Sequence, residues 1–202
     1  MENQPKITVV HPEPDIIVAT KIIDRFLRKN GIKLRYEILI KSDLKDAYGE
    51  FNPNDGEHNK ITINPFLLSD DPPTKPHGFG FKYDRSLKTV ILHEFCHLID
   101  HKYNLIEEYK KNFPKKIILN INSSSNRFEE LAECLCLFMT NPYLLRHINK
   151  EVYLYWSSLF HPPTRVSKSA FIKCWQGWDE AVKNECRSAL KIRATKKNIF
   201  FL

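Results

Sequence analysis

The segment His93-Glu94-Phe95-Cys96-His97 (HEFCH) decides how the rest of the chain is interpreted. It lies in an apolar run with helical patterning, and the four-residue spacing places the two histidines on one face of a helix. Two imidazoles so placed can share one zinc ion at about 2.0–2.1 Å. Glu94 lies about 100° round the helix and can reach a metal-bound water without being a ligand. The segment therefore predicts metal-assisted hydrolysis, with zinc acidifying a water and Glu94 as general base.

The residues around this segment indicate that its helix is largely buried. They are mostly apolar: Val90, Ile91, Leu92, Phe95, Leu98 and Ile99. The alternative is a surface helix that carries scattered histidines by chance. Ionisable side chains inside a buried helix carry a large desolvation cost unless they are paired or bound to a metal. The apolar surroundings therefore favour the metal site over the surface helix.

A catalytic zinc ion commonly takes a third protein ligand, and His101 is the first candidate. It continues the four-residue spacing, but it lies about 12 Å along a helix from His93, too far to share one ion. A histidine that follows a turn at a glycine is also excluded, because the relevant positions hold Asp100 and Tyr103. His101 is therefore predicted to lie at the surface or to support a ligand from outside the metal's coordination shell.

The better source of the third ligand is the segment Arg127 to Met139 (RFEELAECLCLFM). Glu129 and Glu133 lie one turn apart on one face of the predicted helix, among mostly apolar neighbours. Carboxylates on a buried helix need a partner, which zinc and its histidines would supply. We expect Glu129 to be the ligand and Glu133 to accept a hydrogen bond from a ligating histidine. Glu130 remains an alternative to Glu129, and exposed charges without a metal are the competing interpretation.

The order of the patterns predicts an α+β fold, in which a small N-terminal mixed or antiparallel sheet precedes the active-site helix and further helices. Strands are expected at 6–10, 34–40, 48–51 and 60–64. Helices are expected from Pro14 to Asn30 and at about 85–103, 106–112, 127–140, 142–148 and 167–190. Residues 69–81, rich in proline and glycine, are expected to form a long loop. Residues 1–202 are predicted to be one domain, with a core at about 34–145 and a helical C-terminal extension at about 150–202.

Composition and charge are those of a globular protein that needs no disulfide framework. The 202 residues are 42% hydrophobic and carry a net charge of +7, which is spread along the chain. The main cluster of basic residues is the tail Lys191 to Lys197, so nucleic acid is a secondary alternative partner through that tail. Cys96, Cys134 and Cys136 fall in apolar helical patterns and are predicted to be buried. With neither a signal sequence nor a membrane-spanning segment evident, we predict a cytoplasmic protein without a membrane partner, while signal-less secretion and a phage or viral origin stay open.

The segments HEFCHLID (93–100) and FEELAECLCLFMTNP (128–142) together resemble the gluzincin metallopeptidases. The resemblance is closest to the small zincin domains of phage-associated proteins and to the catalytic domain of anthrax lethal factor. Their shared pattern is HExxHxxD followed by a helix of the form ExxAE. The resemblance implies that His93, His97 and Glu129 bind zinc.

Further roles follow from the same resemblance. It implies that Glu94 is the general base, that Glu133 supports the site, and that Asp100 has a structural or supporting role. The stretch 48–66 (YGEFNPNDGEHNKITINPF) is similar to the edge-strand region of small zincins. There the edge strand borders the cleft, and the backbone of a substrate can pair with it.

The sequence departs from the family pattern at two places. Cys96 occupies a position that is commonly a small residue; cysteine is still small, but its thiol is near the zinc. Its place on the helix favours packing over ligation, which stays an alternative. Lethal factor has a tyrosine shortly before its third ligand that can stabilise the oxyanion, but the matching position here is Asn122. Tyr153, Tyr155 and His161 are the alternative candidates for that role.

Two classes of function remain at this point. The first is a zinc peptidase that acts on a protein or peptide substrate. The second is a catalytically silent zincin-fold module with a structural zinc and a protein or nucleic-acid partner, although a structural site would not need Glu94. A thiol enzyme that uses Cys96 or Cys174 is disfavoured, because no histidine is arranged to activate either thiol. The identity of the substrate and the oligomeric state do not follow from the sequence.

Overall fold

A computed structural model of the chain describes residues 14–40, 49–53, 59–64, 87–117, 119 and 126–163. Within these ranges the helices are α1 (Pro14–Lys29), α2 (Leu87–Tyr103), α3 (Leu105–Asn112), α4 (Arg127–Thr140), α5 (Pro142–Ile148) and α6 (Lys150–Leu159). The strands are β1 (Tyr36–Ile40), β2 (Gly49–Asn52) and β3 (Asn59–Ile63). The architecture is therefore mixed α+β, as predicted.

The three described strands form one small mixed sheet in the order β1-β3-β2. β1 pairs with β3 in parallel, and β2 pairs with β3 antiparallel with Phe51 opposite Ile61. Ile61 and Ile63 are fully buried, because alternate side chains of a strand point to the same face and this face is covered by helix α2. β2 is thus an edge strand of the described sheet, and it packs against α2.

Helix α2 lies at the centre of the described core. It packs against α1, α4, β2 and β3, and Leu92, Phe95 and Ile99 on it are fully buried. α1 contributes an apolar face with helical spacing: Ile16, Ala19, Ile23 and Phe26. The rings of Phe26 and Phe95 meet edge-on, with centroids 6.1 Å apart. The burial of α2 confirms that the HEFCH segment lies in a buried helix and not on a surface helix.

Three asparagines begin the last three described helices. Asn126 accepts hydrogen bonds from the backbone N–H groups of Phe128 and Glu129, both at 2.9 Å. Asn141 and Asn149 each accept one such bond at the start of α5 and α6, from Leu144 at 3.1 Å and from Val152 at 3.0 Å. Each side-chain oxygen satisfies a donor that has no partner within the helix itself. These caps explain why one nearly continuous stretch of chain forms three separate helices.

Most predicted boundaries agree with the described ones to within two residues. α1 ends before Asn30, and Gly31 has a φ of +63°, the left-handed conformation that commonly ends a helix. Helix α6 lies in the stretch 150–202 that is expected to be a helical extension, but its own bounds were not predicted, although Asn149 is a strong start signal for it. Cys96 and the other two cysteines predicted to be buried are buried.

Several predicted features lie outside the described residues. They are the strand 6–10, the loop 69–81, the helix 167–190 and the basic tail 191–197. Across the described part of the chain, no helix combines the length and the apolar character needed to cross a lipid bilayer.

The cap at Asn126 gives a direct test of how α4 begins. We expect Asn126→Ala to lower the free energy of unfolding by about 1 kcal/mol, because two N–H groups lose their acceptor. Asn126→Ser, which keeps an acceptor oxygen, should retain most of that stability. Urea denaturation followed by circular dichroism measures both variants, and equal losses in the two would contradict the capping role.

Candidate metal centre

Helix α2 brings the two predicted histidine ligands together. His93 and His97 lie one turn apart, and their Nε2 atoms are 3.0 Å from each other. The ring centroids are 4.7 Å apart at an interplanar angle of 78°, so the edges of the two rings converge without stacking. Both nitrogens therefore point at one region of space beside the helix.

Glu129 on α4 completes a three-residue cluster. Its Oε2 lies 3.0 Å from Nε2 of His93, and its Oε1 lies 3.4 Å from Nε2 of His97. Helices α2 and α4 pack directly against each other, and Glu129 stands at the first turn of α4. The cap at Asn126 fixes that turn. These three residues could hold a metal ion.

The spacing of the three donors fits a small tetrahedral ion. Ligand atoms at about 2.0–2.1 Å from a tetrahedral zinc are about 3.3–3.4 Å from one another. The distances of 3.0, 3.0 and 3.4 Å in the cluster are close to these values. A single proton can bridge only one of the three pairs, whereas one cation satisfies all three. The side chains of His93, His97 and Glu129 are 10%, 18% and 29% exposed, so the cluster is open to solvent on the Glu129 side.

Glu133 lies behind the cluster, one turn along α4. Its Oε1 is 3.4 Å from Nδ1 of His93, and its side chain is 1% exposed. An acceptor at Nδ1 keeps the proton on that nitrogen, which leaves Nε2 free to act as the donor to a metal. The sequence analysis expects Glu133 to accept a hydrogen bond from a ligating histidine, and its carboxylate lies beside Nδ1 of His93.

The electrostatics of the cluster favour a positive charge between its members. Burial alone would lower the pKa of His93, but hydrogen bonds with Glu129 and Glu133 outweigh it and raise that pKa well above its usual value. Burial would likewise raise the pKa of Glu129, yet His93 and His97 lower it. The favoured charge is either a proton or a metal ion, and the two compete for the same nitrogen.

Glu94 lies beside the cluster and is not one of its three members. It is 9% exposed, and burial raises the pKa of its carboxyl group. The charges of His93 and His97 act in the opposite direction, and so does a hydrogen bond from the backbone N–H of Phe51 in β2. A carboxylate with a raised pKa is a better proton acceptor near neutral pH than an exposed one.

Gly49 was missed by sequence reasoning. It lies in β2, where it faces Val90 and Glu94 of α2 at very short range. The sequence does contain an indication of this contact, because a glycine inside a predicted strand often marks a place where another part of the chain approaches closely.

Glu130, the alternative to Glu129, has a different set of partners. Its carboxylate accepts hydrogen bonds from Arg127 at 2.9 Å and from the hydroxyl of Tyr109 at 3.2 Å. Arg127 also donates to the backbone carbonyls of Phe113 and Lys115. Burial raises the pKa of Glu130 to about 7, against the lowering effects of a backbone N–H and of Arg127. The contacts of Glu130 and Arg127 therefore connect α4 to α3 and to the segment that follows α3.

Three further residues near the HEFCH segment lie outside the cluster. The carboxylate of Asp100 accepts a hydrogen bond from the N–H of Ile106 at 2.8 Å and so caps α3, which favours the structural part of its predicted role. His101 is exposed, and its ring packs on Phe51, with centroids 5.8 Å apart. Cys96 is fully buried, with its sulfur 3.9 Å from that of Met139, as expected for packing.

The candidate oxyanion donors are not brought to the cluster by their described contacts. Tyr153 packs on Phe138, which lies nine residues after Glu129 on α4, or about 13 Å along the helix. Tyr155 packs on the ring of Tyr109. The backbone N–H of His161 donates to Asn30, and Asn122 lies outside the described residues.

Comparison with known proteins identified no relative of the chain. No family model, no curated protein and no solved structure matches the chain. The resemblance to gluzincins therefore rests on the two segments that carry the motif residues.

The neighbouring residues Glu129 and Glu130 make a matched pair for testing the centre. We expect Glu129→Ala to reduce bound zinc from about one ion per chain to a small fraction, because a ligand is lost. Glu130→Gln should keep the zinc but lower the free energy of unfolding by about 1–3 kcal/mol, because its amide N–H₂ faces Arg127. Elemental mass spectrometry after zinc loading, with urea denaturation, measures both. Zinc loss in the folded Glu130 variant, or none in the Glu129 variant, would contradict the assignment.

Proposed function

We propose that the protein is a zinc-dependent metallopeptidase with a zincin-like fold, which hydrolyses peptide bonds of a protein substrate. The observation that carries the proposal is the convergence of His93, His97 and Glu129 beside the buried carboxylate of Glu94. Two imidazoles and one carboxylate are a ligand set of catalytic zinc sites, and three protein ligands leave a fourth position open. A structural site would be expected to have four protein ligands.

Zinc is the metal that the donor set favours. Imidazole nitrogen with one carboxylate oxygen in a tetrahedral arrangement suits zinc, whereas magnesium and calcium prefer sites made of oxygen. When bound, zinc would supply a Lewis acid and lower the pKa of a coordinated water to about 7. Glu133 contributes by holding the Nδ1 proton of His93, so that the imidazole offers its Nε2 atom to the metal.

Glu94 is the residue proposed to move the proton. Its burial makes the carboxylate a stronger base, and it lies next to His93 on the helix without belonging to the ligand set. It would accept a proton from water and return it to the nitrogen of the leaving group. The hydrogen bond from the backbone N–H of Phe51 helps to hold this carboxylate in place.

The edge strand supports a peptide as the substrate. β2 is an edge strand of the described sheet, and it borders Glu94 through the backbone of Phe51. An extended peptide can add to such an edge through main-chain hydrogen bonds, which is a common mode of peptide recognition. Together with the resemblance to gluzincins, this position favours a peptide bond over other hydrolysable groups.

Replacing Glu94 by glutamine separates metal binding from turnover. We expect Glu94→Gln to keep about one zinc per chain and to reduce cleavage by at least about 100-fold, because the general base is lost. Glu107→Gln, on the exposed surface of α3, is the matched control and should behave like the wild type. The substrates are fluorescein-labelled casein and a mixed peptide library, with cleavage detected by fluorescence and mass spectrometry.

Retained cleavage in the Glu94 variant would remove the proposed mechanism. A wild-type protein that binds zinc but cleaves no member of the library would shift the assignment to the silent binding module.

A further inference from the structure

Strand β2 meets helix α2 at Gly49, a residue without a side chain. A methyl group on Gly49 would lie 2.8 Å from Cγ1 of Val90, 2.9 Å from Cγ of Glu94 and 3.1 Å from Cδ1 of Ile63. Non-bonded carbon atoms prefer separations of about 3.5–4.0 Å, so alanine cannot be placed there without movement. Gly49 does not have the positive φ that would by itself require glycine. The lack of space is therefore the reason for glycine at this position.

The same strand presents its backbone to Glu94 two residues later. The N–H of Phe51 donates to the Glu94 carboxylate, and the side chain of Phe51 packs on His101. Residues two apart in a strand face the same way, so Gly49 and Phe51 both face α2. β2 is thus held against α2 at two points, and at the first of them the two backbones can approach closely only because Gly49 has no side chain.

We propose that Gly49 is a positioning residue for Glu94. Because position 49 has no side chain, β2 approaches α2 closely enough for the N–H of Phe51 to reach the Glu94 carboxylate. That hydrogen bond restricts the rotamers of the Glu94 side chain. Without it, the buried carboxylate would have fewer hydrogen-bond donors. The consequence for catalysis rests on the proposed function, in which Glu94 is the general base.

Amide hydrogen exchange in the metal-free, full-length protein tests this link without any enzymatic assay. The N–H of Phe51 is directed at Glu94, so in the alternating antiparallel pattern Glu50 and Asn52 direct their N–H groups towards β3. We expect Glu94→Ala and Gly49→Ala to accelerate exchange at Phe51 by about 10-fold or more, because both variants lose its acceptor. Exchange at Glu50 and Asn52 should change by less than about 3-fold.

Two further variants separate positioning from general packing. Val90→Ala removes one of the two closest atoms, so in the Gly49→Ala background it should restore part of the protection at Phe51. This double variant also serves if Gly49→Ala alone does not fold. Glu50→Ala is the matched control on the opposite face of β2 and should leave exchange at Phe51 unchanged.

Two results would overturn the proposal. One is unchanged exchange at Phe51 in Glu94→Ala or Gly49→Ala. The other is uniform acceleration through β2 and β3 in Gly49→Ala that Val90→Ala does not reverse, which would mean that Gly49 only serves packing.

The experiments distinguish failure of the proposed function from failure of the positioning role of Gly49. If the wild type cleaves no peptide but Phe51 responds as expected, then the positioning of Glu94 stands and the peptidase assignment falls. If Glu94→Gln abolishes cleavage while Gly49→Ala keeps full activity and full protection at Phe51, the positioning role falls and the peptidase assignment stands.

Discussion

The packing of helix α2 on helix α4 is the contact on which the candidate site depends. It places the carboxylate of Glu129 within 3.0–3.4 Å of the Nε2 atoms of His93 and His97. Polar groups held this close inside a largely apolar interface are costly unless a positive charge lies between them. The surrounding fold keeps them in place through the cap at Asn126 and the apolar cover that α1 provides for α2.

Neighbouring residues on the two helices have separate roles because each step along a helix turns the side chain by about 100°. On α2, His93 faces the cluster while Glu94 faces the edge strand. On α4, Glu129 faces the histidines while Glu130 faces Arg127 and Tyr109. The first turn of α4 is therefore held on both sides. The candidate metal centre holds one side; on the other, Arg127 and Glu130 pair within α4 and form hydrogen bonds with α3 and the segment that follows it.

The sequence predicted the features that depend on local spacing. The pair of histidines, the glutamate of α4 and the burial of α2 follow from periodicities that a short stretch of chain carries by itself. The role of Gly49 could not be predicted this way, because the need for glycine comes from two atoms of a helix about 40 residues away in the sequence. The sequence favoured Glu129 over Glu130 as the ligand, but the contacts of Glu130 with Arg127 and Tyr109 follow only from where those residues lie in space.

The bounds of helix α6 within the expected helical extension were not predicted for another reason. Its sequence (KEVYLYWSSL) contains three aromatic residues, one β-branched residue and two serines, all of which have only modest helix propensity. It forms because Asn149 caps it and because Trp156 is buried against Tyr109 and Phe160. Tertiary packing and a single cap outweighed the local preference.

We propose that His93, His97 and Glu129 form an open zinc site. The X-ray absorption spectrum at the zinc edge of the loaded protein tests it most directly. An open site with these ligands should show four light ligands at about 2.0–2.1 Å, including the scattering pattern of two imidazole rings. A sulfur ligand at about 2.3 Å, which would bring in a cysteine, or the pattern of only one imidazole would contradict it.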